Sequence, residues 1–185
     1  GEWPRGLLTQ LSGKTLGILG TGLIGKRLAK LAQGIGMDII AWTRSPDLEW
    51  ARAHGVDYVE IDQLFRRADA ISLHLRLSSE TRGVIGSERL SLMKSTAFLV
   101  NVARGGLIDE DALAAALRHG TIAGAALDTF DSEPLSANSP LRELPNSILS
   151  PHTAGTTTES LAQSLELVVD NTLAFLEGRI QNPVV

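Results

Sequence analysis

The sequence predicts an α/β protein with a doubly wound parallel sheet, and three observations carry that expectation. Short apolar runs alternate with amphipathic stretches along the chain, which is the βαβ rhythm of a parallel sheet. The first apolar run, Thr15-Leu16-Gly17-Ile18-Leu19, passes directly into Gly20-Thr21-Gly22-Leu23-Ile24-Gly25, and a helical pattern follows. Polar residues with distinctive chemistry then stand just after later apolar runs, where open parallel sheets bind their ligands.

Taken in order, residues 16–19 form the first strand and 23–33 the first helix, which Gly34 and Gly36 end. A strand over 38–42 precedes a helix over 48–54, stopped by Gly55, and a short strand over 56–59. Residues 62–67 make a brief helix before the buried strand 70–75, in which His74 reads as a structural residue. Ser87 is expected to cap a helix running to Met93, and 96–100 is the next strand. Asp109 caps residues 110–118, and His119-Gly120 closes that helix. Strands over 122–127 and 147–149 follow, separated by a proline-bearing loop, 131–146, long enough to suggest a functional role. From Thr158 to Leu176 the spacing of Leu161, Leu165, Val168, Val169, Leu173 and Leu176 describes a long amphipathic helix that Gly178 ends. The layout is a single Rossmann-type domain over 1–185, with a lead-in at 1–13, a terminal helix at 158–177 and the first strand near the sheet centre.

Composition narrows the function. A net charge of −4 argues against a nucleic-acid partner or an acidic lipid surface, both of which need clustered Lys and Arg. No run of eighteen apolar residues is present to span a membrane, and residues 1–5 lack a secretory layout, so a cytoplasmic location is expected. The absence of cysteine excludes disulfides and thiolate metal sites, and no metal ligand set is expected. At 43% hydrophobic content there is enough material for one core.

The chemistry concentrates in four places. In the glycine motif, Gly20 permits the tight turn, Gly22 lets backbone approach a pyrophosphate, and Gly25 lets helix and strand pack closely. Free N–H groups at the helix start then face the anion, so the motif points to dinucleotide binding. A tight turn that binds nothing is the plainer alternative. Arg104, in Asn101-Val102-Ala103-Arg104-Gly105-Gly106, offers a planar fork for a carboxylate; the alternative is a surface arginine in a glycine turn. His152 stands on the stiff stem of Pro151 and titrates near neutral pH, whereas His54 and His119 read as helix-end residues. Glu133 is a candidate to bond and charge an imidazole, with Asp128 and Asp131 as rivals.

These segments, together with Ala125-Ala126-Leu127-Asp128-Thr129-Phe130, Glu133-Pro134 and Pro151-His152-Thr153-Ala154-Gly155, resemble the ordered motifs of the D-isomer-specific 2-hydroxyacid dehydrogenases. The likeness runs from about residue 3 to residue 183. It implies an oxidoreductase passing a hydride between NAD(P)(H) and a small 2-hydroxy or 2-keto acid. Arg104 would bind the substrate carboxylate, His152 would exchange the proton, and Glu133 would orient and charge His152. Asp128 would contact the nicotinamide carboxamide, and the backbone around Leu23, Ile24, Leu75, Val102 and Ala154 would line the cofactor. The resemblance also implies a homodimer.

Two features depart from that pattern. The family's separate substrate domain has no counterpart here, so the chain is expected to fold and bind dinucleotide with little turnover of its own. At the end of the second strand, Thr43 stands where NAD-preferring enzymes usually carry an acid, and Arg44 follows, which leans the cofactor toward NADP(H). Stacking of Arg44 on adenine is the alternative. Two other functional readings remain open: a nucleotide-sensing binding protein similar to the corepressor relatives of these dehydrogenases, and a cofactor-binding fragment without turnover.

Overall fold

The computed structural model describes residues 8–183, so residues 1–7 of the expected lead-in lie outside the described residues. The chain resolves into two compact units, Gly1–Pro151 and His152–Val185. The first contains a seven-stranded sheet: β1 Thr15–Leu19, β2 Asp38–Trp42, β3 Val56–Tyr58, β4 Ala70–Leu73, β5 Phe98–Asn101, β6 Gly124–Leu127 and β7 Ser147–Leu149. Their order is β3-β2-β1-β4-β5-β6-β7, and every pairing is parallel. The expected doubly wound sheet is therefore observed, and its order reverses direction between β1 and β4.

Helices α1 Leu23–Gly34, α2 Leu48–Ala53, α3 Ile61–Arg67, α4 Ser87–Leu92 and α5 Glu110–Arg118 connect the strands. Alternating side chains divide between two cores, as a period of two requires. Leu16, Ile18, Ile39 and Ala41 pack with Ala29 and Ala32 of α1 on one face. Leu19, Ile40, Ile71 and Leu73 pack with Leu64 and Phe65 of α3 and with Leu113 of α5 on the other. Each fully buried Leu or Ile contributes about 1.5–3 kcal/mol.

Helix starts follow local chemistry. Asp109 accepts the Ala112 N–H at 3.0 Å, as the sequence indicates, and Asp47 does the same for Trp50 at 3.0 Å. The cap of α4 is a correction: Gly86 occupies the N-cap and Ser87 is the first helical residue. In the second unit, α6 Thr158–Leu176 matches its expected span and opens on a reciprocal Thr157–Ser160 capping box. The long loop before β7 contains one 3-10 turn, Pro140–Arg142, whose Leu141 is fully buried. Arg142 ties that loop down by donating to the carbonyls of Ser136 and Leu135 at 2.9 and 2.8 Å.

Asp69 joins the starts of neighbouring strands. Its carboxylate accepts the Thr15 N–H at 2.8 Å and the Lys94 ammonium at 2.8 Å. Burial opposes its charge, but these two donors prevail and hold the carboxyl below the usual carboxylate range. A depressed folded pKa means that this contribution is present above about pH 4 and is lost as pH falls through the folded value. Asp69→Ala is expected to lower stability by about 1–3 kcal/mol at pH 7, because both donors lose their acceptor. The difference from the unaltered protein in urea unfolding should shrink as the pH is taken below 4.

Candidate active site

The strand register places the ends of six strands in one row. Leu19 pairs with Trp42 and Leu73, Leu73 with Asn101, Asn101 with Leu127, and Leu127 with Leu149. Gly20, Thr43, His74, Val102, Asp128 and Ser150 are thus the first residues beyond the sheet at its carboxyl edge.

The glycine loop fits a dinucleotide phosphate. Gly20 adopts φ +98°, and a Cβ there would lie 2.6 Å from the His74 carbonyl oxygen. A Cβ on Gly25 would lie 2.1 Å from the Gly20 carbonyl oxygen, so α1 approaches β1 only without a side chain. At Gly22 the same test meets nothing within 4 Å, leaving open space over the N-terminus of α1. Two glycines therefore allow the packing and the third leaves room for an anion, in the order expected of a phosphate-binding turn. Leu23 and Ile24 are exposed beside it.

Ile24, Leu75, Val102 and Arg104 come together around a cleft of about 580 Å³. Arg104 is held there by Asn101, which is fully buried. The Asn101 amide donates to the Arg104 carbonyl at 2.9 Å, while its oxygen accepts the Ala103 N–H at 3.0 Å. This local turn aims the chain out of the sheet, and Gly105 follows because a Cβ there would meet the Phe130 carbonyl carbon at 1.8 Å. Sequence reading ended the strand before Asn101; in the structure Asn101 pairs within the sheet and also shapes the loop.

The three candidate carboxylates are sorted by their partners. Asp128 is buried and accepts the Ser150 hydroxyl at 2.6 Å. Asp131 pairs with Arg82 at 2.7 Å. Glu133 is exposed and accepts the Phe130 N–H at 3.0 Å, just before a cis bond to Pro134.

His74, which the sequence reads as a structural strand residue, borders the cleft. Sequence periodicity placed it inside a strand over 70–75, but β4 ends at Leu73 and His74 lines the cleft. Its N–H still donates to the Leu19 carbonyl at 2.7 Å, and its Nε2 pairs with the Ser72 hydroxyl at 2.9 Å. Burial pushes its imidazole below the ordinary histidine value. Arg76, also unremarked in the sequence, lines the same cleft. The signal for both was position alone: His74 is the first and Arg76 the third residue past the end of a strand whose end the apolar pattern misjudged.

Thr43 lies elsewhere, in a cavity of about 380 Å³ with Trp42, Tyr58, Glu60 and Gln63. The Tyr58 hydroxyl bonds Thr21 Oγ1 of the glycine loop at 2.7 Å. Arg44 is exposed and forms an ion pair with Glu80, on the segment after β4. In the second unit, His152 has φ 54°, a left-handed conformation unusual for a residue with a side chain, and Ala154 is exposed.

Residues 1–154 match the family described as D-isomer specific 2-hydroxyacid dehydrogenase, NAD binding domain. The chain belongs to that family. This dehydrogenase domain is 45% identical to a glyoxylate reductase of Aeropyrum pernix over 189 residues, covering 97% of this chain and 56% of the relative. The chain thus spans little more than half the length of that relative. Among solved structures, a D-isomer specific 2-hydroxyacid dehydrogenase from Lactobacillus delbrueckii ssp. bulgaricus, in its NAD-complexed form, is similar with TM-score 0.87 and 30% identity, over 100% of this chain and 59% of that one. An acyclic imino acid reductase in complex with NADPH and D-Arg is similar with TM-score 0.87 and 30% identity, over 100% and 58%. The domain is a dinucleotide-binding domain of the NAD(P) type. Among the described residues no helix is long and apolar enough to cross a membrane, and no cluster of three metal-ligating side chains occurs.

The lowered pKa of His74 sets the sign of a pH effect. Between its folded and unfolded values the unfolded chain binds more protons, so stability declines as pH falls from about 6.5. In His74→Gln that part of the decline should vanish. Urea midpoints of the two proteins, compared between pH 5 and 8, measure it.

Proposed function

We propose that this domain serves an oxidoreductase that transfers a hydride between NAD(P)(H) and a small 2-hydroxy or 2-keto acid. The observation that carries the reading is the cleft in which Arg104 stands beside apolar Ile24, Leu75 and Val102, next to a glycine loop open to an anion. Apolar walls suit a flat nicotinamide ring, and a guanidinium suits a carboxylate. The name of the similar A. pernix protein, a glyoxylate reductase, supports a small 2-oxo acid as substrate.

When bound, the nicotinamide supplies or accepts the hydride. Arg104 grips the substrate carboxylate bidentately and turns the keto carbon toward the cofactor face. His152, as the imidazolium, donates its proton to the keto oxygen, yielding the hydroxy acid, and takes it back in the reverse direction. Glu133 orients that imidazole and favours its charged form. Asp128 would accept a hydrogen bond from the nicotinamide carboxamide, and its bond to Ser150 holds its carboxylate in place. Leu23, Ile24, Leu75, Val102 and Ala154 contribute backbone to the cofactor's surroundings. Support for the roles of Glu133 and His152 is the match of their motifs to the family, in order and spacing.

At the adenosine end, Thr43 carries no charge to repel a 2′-phosphate, and Arg44 supplies the cation that favours NADP(H). Glu80 competes for that cation, because it already pairs with Arg44. A 2′-phosphate must displace it.

In the enzyme containing this domain, His152→Ala should lower kcat by about 10²–10⁴ with the NADH Kd unchanged. Arg104→Ala should chiefly reduce kcat/KM for the acid. Equal loss of cofactor affinity in both variants would contradict these roles. For the cofactor, Arg44→Ala should lower the ratio of kcat/KM with NADPH to that with NADH. Glu80→Gln should raise this ratio by up to roughly fivefold, the scale of an exposed ion pair, and the effect should disappear once Arg44 is removed. A ratio indifferent to Arg44→Ala would sink the NADP(H) reading.

A further inference from the structure

Among the described residues, the cleft beside the glycine loop is lined by two guanidinium groups, Arg76 and Arg104, and by no carboxylate. His74 also faces it, but burial favours its neutral form. A concave site with two fixed positive charges and no acid in its wall attracts anions, and more than one negative charge is needed to balance it. The proposed function assigns Arg104 to the substrate carboxylate. Arg76 is left to meet a second anionic group.

The glycine loop needs such a partner. Thr21, Leu23 and Ile24 bring no charge, and the Thr21 hydroxyl is bonded to Tyr58 at 2.7 Å, so the loop holds an anion chiefly by backbone N–H groups. Lys26, the first cation of α1, is engaged elsewhere: its ammonium contacts Asp47 at 2.6 Å and lies 5.0 Å from the centre of the Trp50 ring. Ile24, in the first turn of α1, shares the cleft with Arg76. The cleft that Arg76 lines thus adjoins the first turn of α1, where a pyrophosphate on the loop would sit.

Arg76 is also positioned in advance. Thr81, which is buried, donates its hydroxyl to the Arg76 carbonyl at 2.8 Å and accepts the Ser78 N–H at 2.8 Å. The backbone that carries Arg76 is thus tied to its own turn. Neighbouring charges on this segment have partners, Glu80 with Arg44 and Arg82 with Asp131. Among the described residues the Arg76 guanidinium has no ion pair.

We propose that Arg76 is a pyrophosphate-binding residue of the cofactor site, reaching the dinucleotide from the segment after β4. It completes a clamp whose other side is the α1 N-terminus. A planar guanidinium matches two phosphate oxygens and holds a doubly charged group more tightly than backbone donors alone. The inference rests on the dinucleotide reading of the cleft and adds a residue and a role to it.

The 185-residue chain itself provides the test, with NADH, ADP-ribose and adenosine as probes. NADH is followed by fluorescence, ADP-ribose by calorimetry and adenosine by NMR shifts. Arg76→Ala should raise the Kd of NADH and of ADP-ribose by about tenfold, as expected for loss of a charge-assisted bond, and leave adenosine unchanged. Arg76→Lys should recover part of the loss, and Arg104→Ala should leave ADP-ribose binding intact. The Arg76→Ala variant should also show a weaker dependence of NADH affinity on salt. Thermal unfolding of each variant verifies that the fold persists. Unchanged NADH and ADP-ribose affinities in Arg76→Ala would overturn the assignment. A rise confined to the KM for the acid substrate in the full enzyme would also overturn it, moving Arg76 to the substrate. If the unaltered chain bound neither NADH nor ADP-ribose, the dinucleotide reading itself would fall and take this inference with it.

Discussion

The site depends on a backbone-to-backbone contact at the exit of β1. The chain leaves the sheet at Gly20, passes against the His74 carbonyl and returns as α1, with Gly25 against the Gly20 carbonyl. Side chains are excluded at both positions, so the packing cannot be relieved by a change of rotamer. The hydrogen bond from the His74 N–H to the Leu19 carbonyl locks β4 to the same point. Because β1 is central and the sheet order reverses beside it, this contact creates the concavity into which the neighbouring loops project. A dense arrangement of this kind has little freedom to deform, which keeps the N–H groups of α1 aligned on one spot.

Charge in the first unit is arranged around that concavity. Several acids outside it have cationic partners: Asp47 with Lys26, Glu80 with Arg44, and Asp131 with Arg82. Among the described residues, the cleft wall retains Arg76 and Arg104 and contains no carboxylate. A chain with a net charge of −4 thus presents a local positive site to an anionic ligand. Low-dielectric walls strengthen such a local field more than the distant negative charges weaken it. Polar side chains then hold the loops that carry these groups, Asn101 for Arg104 and Thr81 for Arg76.

Most of the fold was legible in the sequence because its signals are local. The strands at Asp38–Trp42 and Ser147–Leu149 and the helix at Thr158–Leu176 match their expected bounds. Glycine, proline or capping residues flank them closely in the chain: Gly36 before the first, Pro151 after the second, and Thr157 and Gly178 on either side of the helix. Boundaries failed where the strand continued or stopped for reasons in a neighbour. Asn101 is polar yet lies in β5, since β4 and β6 offer it ladder partners. His74 lies in an apolar run yet leaves the sheet, since β1 turns away at Gly20. Hydrophobic periodicity does not register either event.

The candidate site divides along the same line. The sequence by itself determined the parallel α/β architecture, the glycine turn and the presence of Arg104 beyond a strand, because each follows from residues adjacent in the chain. Its motifs also identified the family. Tertiary structure alone decided which charges are neutralised and which face the cleft. Arg44 and Glu80 are thirty-six positions apart, and Arg82 and Asp131 forty-nine. No local pattern reports such pairings, since the sheet order determines which loops become neighbours. Only the folded arrangement separates Arg76, which lines the cleft, from Arg82 six residues later, which is paired with Asp131.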